Sequence, residues 1–168
     1  MSNVITDKNG VKRYLISVTI NGDVYTRVVK ANTLMVNFLR DELDLTGTKK
    51  GCELGDCGSC TVLMEGKPIN SCLLLAVEAD GREFTTVEGV AATAAIDVLQ
   101  EKFIEHGASQ CGYCTPGMLL SGKALLTRNP KPTEYEVREA IAGNLCRCTG
   151  YVNIVKAIMA ASGQEVAE

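Results

Sequence analysis

The sequence predicts an α+β fold in two parts: a mixed sheet-and-helix domain over residues 1–88, then a four-helix bundle over residues 89–168. Three observations carry that reading. The apolar period is near two up to about Val87 and near 3.6 beyond Ala92. Eight cysteines divide into two sets of four, one set in each half. A chain of 168 residues can fill one fair core or two small ones, and a metal centre in each half would staple two small domains.

In the first half, Tyr14, Ile16, Val18 and Ile20 alternate on one face, Asn21-Gly22-Asp23 makes a turn, and residues 24–29 return as the second strand of a hairpin. Thr33 is read as the cap of a short amphipathic helix carrying Leu34, Phe38, Leu39 and Leu43, which ends before the stretch 47–51. A cysteine loop follows. Then come a strand at 61–64, a turn at Glu65-Gly66-Lys67-Pro68, an apolar strand around 72–77 and a last strand at 83–87. Hairpin, helix and further strands form a grasp-like arrangement, with the cysteine loop after the helix.

In the second half, residues 93–105 carry Ala95, Leu99 and Phe103 at helical spacing and stop at Gly107. Thr115 as N-cap with Pro116 at the first helical position opens a second helix to Arg128, and Asn129-Pro130-Lys131-Pro132 ends it. Thr133 and Glu136 form a capping-box pattern for a third helix that stops at Gly143. Thr149 is read as the cap of a fourth, with Tyr151, Val155, Ile158 and Met159 on one face. If the helices run up, down, up, down, the first and third connections share one end of the bundle. That geometry brings Cys111 and Cys114 to Cys146 and Cys148.

The cysteine spacing reads as ligand arithmetic. Cys52-x4-Cys57-x2-Cys60, with Cys72 further on, has the spacing that holds a plant-type [2Fe-2S] cluster. Cys111-x2-Cys114 with Cys146-x-Cys148 supplies four more thiols, enough for a second cluster. Structural zinc competes for the same residues, because C-x2-C pairs commonly ligate it, though a glycine-filled C-x4-C-x2-C loop is not zinc-finger spacing. Disulfides would need an oxidising compartment, and the opening residues show no basic n-region, apolar h-region or twin arginine; a cytoplasmic location is expected. Gly51, Gly55 and Gly58 interleave the first three cysteines, where a loop wrapped on a compact cluster needs positive φ or close backbone approach. Lys49, Lys50 and Arg147 sit next to these thiols as surface charges that would also favour a reduced centre.

Other chemistries find no residues. The net charge of −3 gives no basic surface for nucleic acid, and no run approaches the roughly 20 apolar residues of a transmembrane helix. The lone histidine, His106, lies beside Gly107 at an expected helix end and reads as a capping or surface residue. No Gly-x-Gly-x-x-Gly fingerprint, phosphate loop or His-carboxylate cluster occurs, so no catalytic residue is assigned.

Three segments together, Gly51 to Thr61 around the first three cysteines, Gln110 to Met118 around the second pair and Gly143 to Tyr151 around the last, resemble the iron-sulfur part of the xanthine oxidase family of molybdenum hydroxylases in its separate small-subunit form. The resemblance runs over residues 12–161. It implies a plant-ferredoxin-like β-grasp domain holding a flavin-side cluster on Cys52, Cys57, Cys60 and Cys72. It implies likewise a helical [2Fe-2S]-binding domain holding a molybdenum-side cluster on Cys111, Cys114, Cys146 and Cys148. Gln110 and Cys148 would contact the pterin. The implied partners are a large subunit with molybdopterin, often the cytosine dinucleotide in bacteria, and a medium subunit with FAD. The implied role is to relay single electrons from the molybdopterin site through two clusters to FAD. A free-standing two-cluster ferredoxin-type carrier is the alternative, and a zinc-stabilised interaction module a further one.

Overall fold

The expected hairpin forms in the register its turn dictates. In the computed structural model, which describes residues 4–6, 9–91 and 96–164, β2 (Lys12–Ile20) pairs antiparallel with β3 (Asp23–Lys30), Ile20 opposite Asp23. Asn21 and Gly22 between them have φ of 55° and 90°, as a two-residue turn with both central residues left-handed requires. The other edge of β2 is shared: β1 (Val4–Thr6) pairs with its start, and β6 (Glu83–Thr85) runs parallel to its end. Beyond β6 lie β4 (Thr61–Met64) and then β5 (Lys67–Asn70).

One face of this sheet carries the first core. Ile16, Val18 and Ile20 meet Val62 and Phe84, and a short helix, α1 (Met35–Asn37), widening into a π turn at Phe38–Glu42, adds Met35, Phe38 and Leu39. Phe38 and Leu39 are fully buried, each contributing about 1.5–3 kcal/mol relative to exposure.

Four expectations in this half are corrected. The helix is shorter than read, and its N-cap is Leu34, not Thr33. The Thr33 carbonyl is instead engaged by the Ala76 amide at 2.7 Å. Residues 72–77 are not a sheet strand: the Leu74 and Ser71 carbonyls accept from the Met35 and Val36 amides, Leu75 forms a single bridge with Leu34, and a 3-10 turn follows at Ala76–Ala79. An apolar run satisfies either a ladder or the start of a helix packed beside it, and period alone does not separate them. The turn before β5 is only Glu65 and Gly66, so Lys67 and Pro68 belong to the strand; Pro68 is tolerated because β5 is an edge. β6 ends at Thr85, where the Asn21 carboxamide takes over by bonding the Thr86 amide at 2.8 Å and its hydroxyl at 3.0 Å.

The second half contains α2 (Val98–Glu105), α3 (Thr115–Arg128), α4 (Glu134–Ile141) and α5 (Val152–Ala161). Their core gathers Leu99, Phe103, Met118, Val137, Ile141, Ile154 and Ile158. Thr133 and Glu136 form the expected capping box, the Thr133 amide donating to Glu136 at 2.7 Å. Asp97 caps α2, and the expected start at Thr93 and Ala95 lies outside the described residues. Two caps differ from the reading. Cys114, not Thr115, is the N-cap of α3, and Tyr151, at φ 70°, is the N-cap of α5. Thr149 is drawn off that role because its hydroxyl lies 3.1 Å from the Cys146 sulfur. No helix among the described residues is long and apolar enough to cross a membrane.

Candidate metal centres

Three thiols of the first set, Cys52, Cys57 and Cys60, hang on the loop between the π turn and β4, and the fourth, Cys72, follows β5. Glu53, Gly55 and Gly58 take φ of 57°, 82° and 67°, and this left-handed course turns backbone N–H groups inward. The Leu54 and Cys57 amides point at the Cys52 sulfur at 3.3 and 3.4 Å, and the Cys52 amide points at the Cys57 sulfur at 3.4 Å. Those donors hold the Cys52 thiol down to about 7, the Leu54 amide contributing most. Cys60 and Cys72 lie deeper, buried beside Val36. The Ser71 hydroxyl and amide both donate to the Cys60 carbonyl, at 2.7 and 3.3 Å, fixing the neighbouring Cys72 beside Cys60. Burial pushes the Cys60 thiol up to about 11.

The second set is assembled from two connections at one end of the bundle. Cys111 and Cys114 precede α3, and Cys146 and Cys148 precede α5. Cys114 faces Cys146; burial, then that neighbour, pushes its thiol up to about 12. Cys148 faces Cys111, which raises it. For Cys146, burial works upward, but the Thr149 hydroxyl and amide outweigh it and leave the thiol lowered.

The thiols therefore meet as four pairs: Cys52 with Cys57, Cys60 with Cys72, Cys111 with Cys148, and Cys114 with Cys146. All eight are free thiols. A tetrahedral zinc site needs its donors around one point, whereas a dinuclear [2Fe-2S] cluster spreads four thiolates over two irons. Paired thiols under inward N–H groups fit the second group. So does Gly51, where a Cβ would stand 2.7 Å from the Cys57 sulfur.

Gly55 and Gly58 take the positive φ expected of them, and each has a packing reason as well. Gly55 lies under Leu73, whose Cδ1 would be 2.5 Å from an added Cβ. Gly58 faces the helical half: a Cβ there would collide with the Gly143 carbonyl and stand 2.7 Å from Asn144 Nδ2. The expected charges are partly committed as well, Lys49 to the Thr46 carbonyl at 2.8 Å and Lys50 to Glu53 at 3.3 Å, while Arg147 is exposed. Gln110, Cys111 and Cys148 are exposed in the two connections at that end of the bundle.

Hydrogen bonds that sequence reasoning did not anticipate join the two sets. The Leu145 amide donates to the Cys57 carbonyl at 2.9 Å, the Tyr113 hydroxyl donates to the Lys50 carbonyl, and Asn144 Nδ2 donates to the Gly58 carbonyl at 2.9 Å. Each lies within two residues of a thiol on both sides.

A grasp-like sheet and a helical bundle, each presenting four paired thiols, define a two-domain iron-sulfur protein. Residues 18–84 match the family described as a 2Fe-2S iron-sulfur cluster binding domain, and residues 86–159 match the [2Fe-2S] binding domain. The chain is 50% identical to the nicotine 6-hydroxylase small subunit of Paenarthrobacter nicotinovorans, over 90% of this chain and 92% of the relative. It is 45% identical to the nicotinate dehydrogenase small FeS subunit of Eubacterium barkeri, over 88% and 94%. Among solved structures, quinoline 2-oxidoreductase from Pseudomonas putida 86 superposes with a TM-score of 0.87 at 47% identity, covering 90% of this chain and 94% of that one. The chain belongs to the xanthine oxidase family of molybdenum hydroxylases, as a small iron-sulfur subunit.

Proposed function

We propose that this chain is the electron-transfer subunit of a heteromeric molybdenum-dependent oxidoreductase, with two [2Fe-2S] sites in series. One site lies on Cys52, Cys57, Cys60 and Cys72 in a domain of residues 1–88, and the other on Cys111, Cys114, Cys146 and Cys148 in a domain of residues 89–168. The observation that carries this reading is the direct bond from the Leu145 amide to the Cys57 carbonyl, which sets the two thiol groups against each other. Bound at such a site, a [2Fe-2S] cluster supplies a one-electron acceptor and donor. Two of them in series let a two-electron oxidation elsewhere proceed outward in single steps.

The chain's own residues orient and insulate. The Leu54, Cys57 and Thr149 amides offset negative charge on sulfur, and the N-terminus of α3, capped by Cys114, turns its free N–H groups toward the second set. Burial of Cys60, Cys72 and Cys114 excludes water from one side of each site. The exposed end with Gln110, Cys111 and Cys148 suits a large molybdopterin subunit, the cofactor being the cytosine dinucleotide form, with Gln110 and Cys148 against the pterin. Leu54 and Leu73, 72% and 63% exposed beside the first set, suit burial against a medium FAD subunit. Eight free thiols accord with a cytoplasmic location.

Native purification tests the reading. The chain is expected to elute with two larger partners and to be brown-red. Elution alone would favour a free-standing carrier, and a colourless protein would favour zinc.

A further inference from the structure

Asn144 is among the few buried polar residues, 4% exposed, and it lies where three segments meet. Its Nδ2 donates to the Gly58 carbonyl at 2.9 Å and to the Thr61 hydroxyl at 3.0 Å; its Oδ1 accepts from the Ser121 hydroxyl at 2.7 Å. A backbone carbonyl only accepts, so Gly58 fixes which way the amide faces. The Thr61 hydroxyl also donates to the Gly58 carbonyl, at 2.7 Å, closing the network. Backbones come close here because residue 117 is glycine: a Cβ on it would stand 2.5 Å from the Gly58 oxygen and 2.7 Å from Asn144 Nδ2.

The three segments are those that carry thiols. Gly58 and Thr61 bracket Cys60 and adjoin Cys57; Ser121 is on α3, which Cys114 caps; Asn144 precedes Leu145 and Cys146. We propose that Asn144 is the positioning residue that fixes the distance and orientation between the two thiol sets. It thereby governs the rate of electron passage between them. The inference rests on the reading of both sets as [2Fe-2S] sites. In that step the [2Fe-2S] centre that Cys111, Cys114, Cys146 and Cys148 would hold gives up one electron, the centre that Cys52, Cys57, Cys60 and Cys72 would hold takes it, and no bond is made or broken. Asn144 touches neither set's sulfur in the hydrogen-bond network and acts through the backbone on which the thiols sit.

The test uses the copurified complex carrying Asn144→Asp, which keeps the volume but turns an acceptor toward the Gly58 carbonyl, or Asn144→Ala. Ser121→Ala, which removes only the hydroxyl that steadies the carboxamide, serves as the milder variant. Iron content and the EPR signals of dithionite-reduced samples report whether both sites are filled. The splitting of one signal by the other reports their geometry, and redistribution of an electron injected by photoreduced deazaflavin reports transfer. Both Asn144 variants are expected to keep both signals, change the splitting and slow redistribution several-fold; Ser121→Ala should move both readouts in the same direction by less. Unchanged splitting and redistribution with both sites filled would overturn the proposal. So would loss of iron from one site, which would make Asn144 an assembly residue. If the Asn144 variants do not fold, unchanged readouts in Ser121→Ala overturn it. Two signals absent from the unaltered complex would instead overturn the two-site reading beneath it.

Discussion

The amide of Leu145 donates to the carbonyl of Cys57 at 2.9 Å, although Leu145 as a whole is 56% exposed. A thiol-bearing residue of one half is thus bonded to the residue before a thiol of the other. Such an amide is held by the packing of the two halves, not by solvent exposure of its own residue. Hydrogen exchange in the cluster-loaded chain should therefore find Leu145 as protected as core amides of α3. Rapid exchange there would mean the two loops separate readily.

Gly58 makes the same junction sensitive to a single methyl. At φ 67° a Cβ costs about 1–2 kcal/mol of backbone strain, and the collision with the Gly143 carbonyl adds to it. Gly58→Ala is expected to lower Tm by roughly 2–4 °C per kcal/mol lost and to reduce iron at both thiol sets. Loss confined to the first set, with unchanged Tm, would show that the residue serves only its own loop.

The thiols should titrate in a definite order in the metal-free chain. Cys52, held at about 7 by amide donors, forms its thiolate first; Cys60 and Cys114, pushed to about 11 and 12 by burial, form theirs last. Near pH 8 iodoacetamide should modify Cys52 well before Cys60 or Cys114, as peptide mass mapping would read. Above the ordinary thiol value the folded metal-free chain keeps protons at Cys60 and Cys114 that the unfolded chain releases, so its stability should fall as pH rises toward 11. Equal labelling at all positions would mean the metal-free chain does not retain these environments.

Gln110 lies exposed next to Cys111, in the region proposed to face a molybdopterin subunit. Replacing it by Ala removes no thiol. Gln110→Ala should keep iron near full occupancy while slowing reduction of both iron signals by the enzyme's substrate. Unaltered reduction kinetics would remove Gln110 from that contact.

How much of this was legible in the sequence follows the range of the interactions involved. The Asn21-Gly22 turn and the Thr133–Glu136 capping box are decided within four residues and formed as read. The meeting of Cys111 and Cys114 with Cys146 and Cys148 followed from helix order, because short connections leave antiparallel helices one arrangement. Residues 72–77 misled because their apolar side chains suit a strand equally well, while the distant Met35 amide claims the Leu74 carbonyl and Val36 that of Ser71 just before the run. Thr149 misled because a hydroxyl near a helix start usually caps it, while here a thiol competes. Asn144 carried no local signal at all. One asparagine in a loop has no period, and its partners Gly58, Thr61 and Ser121 are remote in sequence.

Whether the two thiol sets hold separate [2Fe-2S] centres in one relay is read from EPR of the dithionite-reduced complex carrying Cys52→Ser. Cys52 belongs to one pair of the first set and faces no thiol of the second. One [2Fe-2S] signal should vanish while the other keeps its position and intensity, with about two irons remaining per chain. Both signals intact, or both lost from a protein that is still folded, would contradict the account.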